Sequence, residues 1–226
     1  MTFDATENLL IAFAQGKTAF DNALIKNANL QARFLPFIQL RKACMPAADF
    51  RHSILPGADF EGAILKLANF EHANLLAAEL AWANLFQANL GHTLLAHSRL
   101  VGANLANANL VGASLVGCDL TSANLRNANL SGANLQGANL SKANLFGARV
   151  DAKGLADAHL DFTVLPDGDC QSHARNSRSP LPVANLMSYT RLSNAVKQQQ
   201  LPPSEFVARL GDRSAQQAVP ASQPLT

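Results

Sequence analysis

The chain has 226 residues, 48% of them hydrophobic and only 15% charged, with a formal net charge of +2. That length suits one elongated domain with appendages, and three cysteines without metal-type spacing argue against a disulfide framework or a zinc site. There is no basic stretch followed by an apolar run and a cleavage site, and no run of about 18 apolar residues, so the expectation is a soluble cytoplasmic protein.

Residues 4–15, DATENLLIAFAQ, predict a short helix with Asp4 as N-cap, Glu7 three residues on and Gly16 as the stop. Leu9, Leu10, Phe13 and Ala14 form its apolar stripe. The open end of a coil needs such a cap, because its unpaired strands would otherwise recruit another chain.

From Phe20 to Leu165 every fifth residue is apolar, and the slot two residues earlier is Ala at twenty-one of these thirty sites. A period of five places successive Leu about 140° apart on a helix, and on opposite faces of a straight strand. Either way half of them stay wet. The pattern is satisfied when the chain bends after each short extended segment, so that every Leu points at one axis with the small Ala beside it.

The bend falls on the two residues after Leu. Eight of the thirteen Gly, including Gly57, Gly102 and Gly147, occupy the second of these, and Asn22, Asn27, Asn107 and Asn127 share the slot. Gly and Asn best tolerate the positive φ of a type II turn.

The tandem A(N/D)LXX motif, cleanest in ANLANANLVGASLVGCDLTSANLRNANL from Ala103 on, resembles the pentapeptide-repeat family. The resemblance implies an all-β fold: a right-handed quadrilateral parallel β-helix with four pentapeptides per coil. Thirty repeats then make about seven and a half coils, a rod roughly 35 Å long. The ending LPDG at 165–168 resembles the closure of many cyanobacterial members. Three segments follow: 1–17 a helical cap, 18–168 the β-helix and 169–226 a basic tail. Arg33, Ile38 and Lys153 stand in slots expected to face the core. After Cys170 the chain has six basic and two acidic residues, with short helices possible at 186–199, striped by Leu186, Tyr189, Leu192 and Val196, and at 204–210.

Twenty residues per coil let surface columns be read. Asn69, Asn89, Asn109 and Asn129 stack as expected amide ladders. His52, His72 and His92 stack in one turn column, with a solvated turn surface favoured over a metal site. Phe34, Phe37, Ile54, Leu76 and Leu94, with Pro36 and Pro56, are apolar in outward slots of one side. Ile64, Leu67, Trp82 and Phe86 do likewise on what reads as a neighbouring side. Such patches mark contact surfaces, anchored by aromatics, unless the helix or tail covers them.

No catalytic constellation, cofactor loop or metal-ligand set is present at meaningful spacing, so the expectation is no enzyme, no cofactor and no metal. The sequence points instead to a rigid scaffold that binds a protein partner or a second copy of itself. The family resemblance implies an alternative, a DNA-mimicking modulator of DNA gyrase or another type II topoisomerase. That mechanism needs a strongly negative rod, whereas residues 18–165 hold eleven basic and ten acidic side chains. Six scattered basic residues without interleaved aromatics give little basis for nucleic-acid binding by the tail.

Overall fold

In the computed structural model, residues 5–171 are described. Helix α1 spans Ala5–Ala14. The Asp4 N-cap and both tail helices lie outside the described residues. Leu9 is buried in the core cluster, with Leu10 and Phe13 packed against it.

Beyond Gly16 the backbone is a four-sided coil. The residue before each core site pairs in parallel with the one twenty positions on, as in Ala19↔Gln39↔Asp59 and Leu24↔Cys44↔Ile64. We number the sides by the core sites of one coil: Phe60 lies on the first, Leu65 on the second, Phe70 on the third and Leu75 on the fourth. Two rungs are long enough to be strands, β1 Asn129–Leu130 and β2 Arg149–Val150, paired in parallel. The core sites are buried without exception from Ile25 to Leu145, and so is nearly every Ala slot between them. Among them, Phe50 and Phe70 stack at 4.5 Å, with Phe60 edge-on to both.

One pentad shows why the coil is stable. Around Leu90, the Asn89 N–H reaches back to the Ala68 carbonyl, while Leu90 and His92 donate forward to Asn109 and Val111. Thr93 N–H closes the turn on the Leu90 carbonyl. The fifth donor, Gly91 N–H, is accepted by the Asn89 side-chain oxygen at 3.1 Å. All five donors are thus satisfied. This local Asx bond recurs from Asn69 to Asn144 and explains the Asn/Asp before Leu. The expected amide ladder is real but secondary: Asn109 donates to Asn89 at 2.8 Å and Asn124 to Asn104 at 3.2 Å.

Polar substitutions in the Ala slot are absorbed the same way. Ser98 and Thr163 donate inside the core to the carbonyls of Leu75 and Leu140, each at 2.7 Å. Cys118 Sγ reaches the Leu95 carbonyl, and burial pushes its thiol up to about 12.

Two interior expectations fail. Arg33 is exposed rather than inward, while Ile38 is fully buried. Lys153 is also exposed, because helix α2, Ala152–Ala156, replaces the coil there. Asp151, ahead of α2, accepts a bond from Gly132 N–H instead of capping its own helix. The rod closes as Cys170 folds back antiparallel on Val164.

Candidate surface for protein binding

The turn chemistry decides which side chains the rod displays. The second corner residue has φ between +52° and +72° throughout the coils, whether or not it is Gly or Asn. Leu67 and Trp82 sit there at +60°. A bulky residue in this region costs on the order of 1–2 kcal/mol. Its side chain leans toward the next coil, where Gly often stands. At Gly102 a Cβ would fall 2.3 Å from the Trp82 ring, and at Gly57 one would fall 2.5 Å from the Phe37 ring. Gly serves these corners by leaving room for the ring of the preceding coil as well as by its φ.

The expected contact residues separate into three groups. Phe34, Ile54 and Leu94 are exposed on the fourth side, in one column interrupted by Asn74. Ile64, Leu67 and Trp82 are exposed on the second side and its flanking corners, Trp82 at 63%. Leu76 and Phe86 are only half-buried. Phe37 corrects the expectation: it is 6% exposed, buried although it stands in an outward slot. The two patches also lie on opposite sides, not neighbouring ones, since two pentads separate the second side from the fourth. Sequence reasoning missed Leu24, which at 64% is more exposed than any of these and shares a column with Cys44 and Ile64. Reading the residue before every core site for hydrocarbon would have found it.

A family model for pentapeptide repeats matches residues 40–75, 83–121 and 113–150, in eight copies. The chain is a pentapeptide-repeat protein. HetL, a pentapeptide repeat protein involved in heterocyst differentiation regulation from Nostoc sp. strain PCC 7120, is 28% identical over 73% of this chain and 98% of its own, with a TM-score of 0.41. A pentapeptide repeat protein from the Arabidopsis thaliana thylakoid lumen is 28% identical over 50% of this chain and 69% of its own, with a TM-score of 0.27. QnrB1, a plasmid-mediated fluoroquinolone resistance protein, is 16% identical over 66% of this chain and 84% of its own, with a TM-score of 0.35. Likeness at this level says nothing of what this chain binds. No curated protein matches it.

The charged columns of this pentapeptide-repeat rod are paired. Arg41 Nε donates to the buried Asp59 carboxylate at 2.8 Å, and Arg99 to Glu79 at 3.0 Å. Arg51 binds Asp49 and holds its carboxyl below the usual range. These exposed cations are expected to contribute little to stability. The histidines do stack, with His52, His72 and His92 rings 5.1 Å apart and tilted by 5° and 9°. Two metal–nitrogen bonds of about 2.1 Å span at most about 4.2 Å, so parallel rings at this spacing cannot share a metal without swinging. Among the described residues no group of His, Cys, Asp and Glu is placed to hold a metal ion. Among them, too, no helix is long and apolar enough to cross a membrane.

Proposed function

We propose that this protein is a non-enzymatic scaffold that binds another protein through apolar side chains held on the outside of a rigid β-helix. One observation carries the reading. Trp82, the chain's only Trp, occupies a corner at φ +60° and remains 63% exposed. The fold would be served better there by Gly or Asn. A large aromatic kept wet in a costly conformation is accounted for by a partner that buries it. Leu24, Ile64 and Leu67 lie on the same side of the rod, while Phe34, Ile54 and Leu94 offer a smaller column opposite.

The topoisomerase reading has less support. The acidic column Asp59, Glu79, Asp119 is broken by Arg99, and two of its carboxylates are neutralised by arginines. Gyrase supercoiling in excess protein tests it directly.

The scaffold reading is tested by capture from host extract with the wild type, Trp82→Ala and Leu67→Asp. The expected result is one protein, or a second copy of the chain, retained by the wild type and lost by both variants, with circular dichroism unchanged. Equal capture by all three overturns the assignment of this side.

A further inference from the structure

The four corners of the coil have the same backbone and should be equally wet. At three of them the second residue is exposed almost throughout, as at Asn27, Leu67, Gln87 and Asn107 after the second side. The corner after the fourth side is different. Its second residues, Phe37, Gly57, Ala77, His97, Gly117 and Gly137, are buried or half-buried in every coil. Its first residues run Pro36, Pro56, Leu76, Ala96 and Val116, none of them exposed, before the exposed Gln136. No Asp, Glu, Lys or Arg occurs at this corner from 36 to 137, whereas each of the other three carries some. His97 records the same fact, since burial lowers its pKa.

Helix α1 does not account for this. Its ten residues are about 15 Å long, and only Thr6 and Leu9 of them are buried. The uncharged seam climbs four coil steps from Phe37 to Gly117, roughly 19 Å.

We infer that the seam is the docking groove for the chain's own C-terminal segment, seated through Leu186, Tyr189, Leu192 and Val196. Length, origin and chemistry argue for this occupant. Fifty-five residues, 172–226, follow the last described one. The last described rung, Cys170 on Val164, lies at the C-terminal end of the rod, so an occupant drawn from these residues has to run back along the axis to reach the seam. The fourteen residues 172–185 span up to about 46 Å, more than the whole rod. Residues 186–199 as a helix would cover about 21 Å, matching the seam. The segment's excess of four positive charges is matched by the end of the rod, where 151–171 hold Asp151, Asp157, Asp161, Asp167 and Asp169 against Lys153 alone. The inference does not depend on the partner-binding reading, which concerns the exposed second side and the fourth-side column.

The test is limited trypsin digestion of the full chain, followed by mass spectrometry at Arg191 and Lys197. Docking predicts cleavage at these two sites at least tenfold slower in the wild type than in Leu186→Ser/Tyr189→Ser, a change outside the repeats that leaves the residues beside both scissile bonds intact. Ala77→Glu in the groove should accelerate it similarly, with the rod's circular dichroism unchanged. Equal rates in wild type and tail variant overturn the inference. So does protection that disappears on dilution together with a dimeric sedimentation mass, because the occupant is then a second copy.

Discussion

The corners after the second and the fourth side share one turn, one hydrogen-bond pattern and one positive φ, yet they face different surroundings. After the second side stand Lys26, Lys66 and Arg126 with Leu67 exposed; after the fourth stand Pro36, Leu76 and Val116 with Phe37 buried. The difference teaches that the two inward slots of each pentad set the fold, leaving the two corner slots free to specify contacts. A repeat protein can therefore be read in two layers, and each layer can be broken separately.

The largest effect comes from attacking what both corners share. Leu105→Asp places a charge in a fully dry column with no partner, which costs more than about 4 kcal/mol. The expected outcome is loss of the cooperative thermal transition and of both corners together. Ile64→Asp, in an exposed slot on the same side of the rod, should change stability by no more than about 0.5 kcal/mol. Equal losses from the two would show that the inner and outer layers are not separable.

A smaller effect distinguishes the corners. Gly57 and Gly147 both have positive φ, +63° and +72°, so replacing either by Ala carries a similar backbone penalty of about 1 kcal/mol. At Gly57 the new methyl would also meet the buried Phe37 ring at 2.5 Å; at Gly147 it meets the exposed Asn127 side chain at 2.3 Å. Asn127 can swing into solvent and Phe37 cannot. Gly57→Ala should therefore be the more destabilising of the two in urea denaturation, by about 1 kcal/mol or more.

Smaller again is the cost of the local side-chain bond. Asn89→Ala leaves Gly91 N–H without its acceptor and Asn109 without its ladder partner. The expected loss is about 1–2 kcal/mol, and faster amide exchange at Gly91 is the specific signature. A substitution that lowers stability while Gly91 stays protected would assign Asn89 to the ladder alone.

Much of this was legible from residue order. The five-residue period and its Ala partner demand a bent chain with one dry column, and the dry column runs from Ile25 to Leu145. The role of Asn was only half legible, because a local bond to the residue two on and a ladder bond twenty on use the same side chain. Phe37 and Trp82 occupy the same slot of the repeat, so position alone predicts equal exposure. What separates them is the composition of the whole corner, uncharged over six coils in one case and mixed in the other. Arg33 and Lys153 depart from the slot rule for a different reason. Lys153 stands where helix α2 replaces the coil, and Arg33 stands in the first coil, where Ala28 and Ile38 on either side of it still keep the rule.

The finest contrast is between two histidines at successive corners of one coil. His92 is exposed after the third side, whereas His97 lies half-buried after the fourth, where burial lowers its pKa. A histidine with a lowered pKa binds its proton more weakly folded than unfolded, so protonation favours unfolding. Its contribution is therefore complete above the unfolded value of about 6.5 and is lost progressively as the pH falls below it. Denaturation midpoints followed from pH 7.5 to 5 should drop for the wild type and drop less for His97→Gln. If the variant tracks the wild type, the fourth-side corner is not dry at this coil, and the contrast drawn between the corners ends below residue 97.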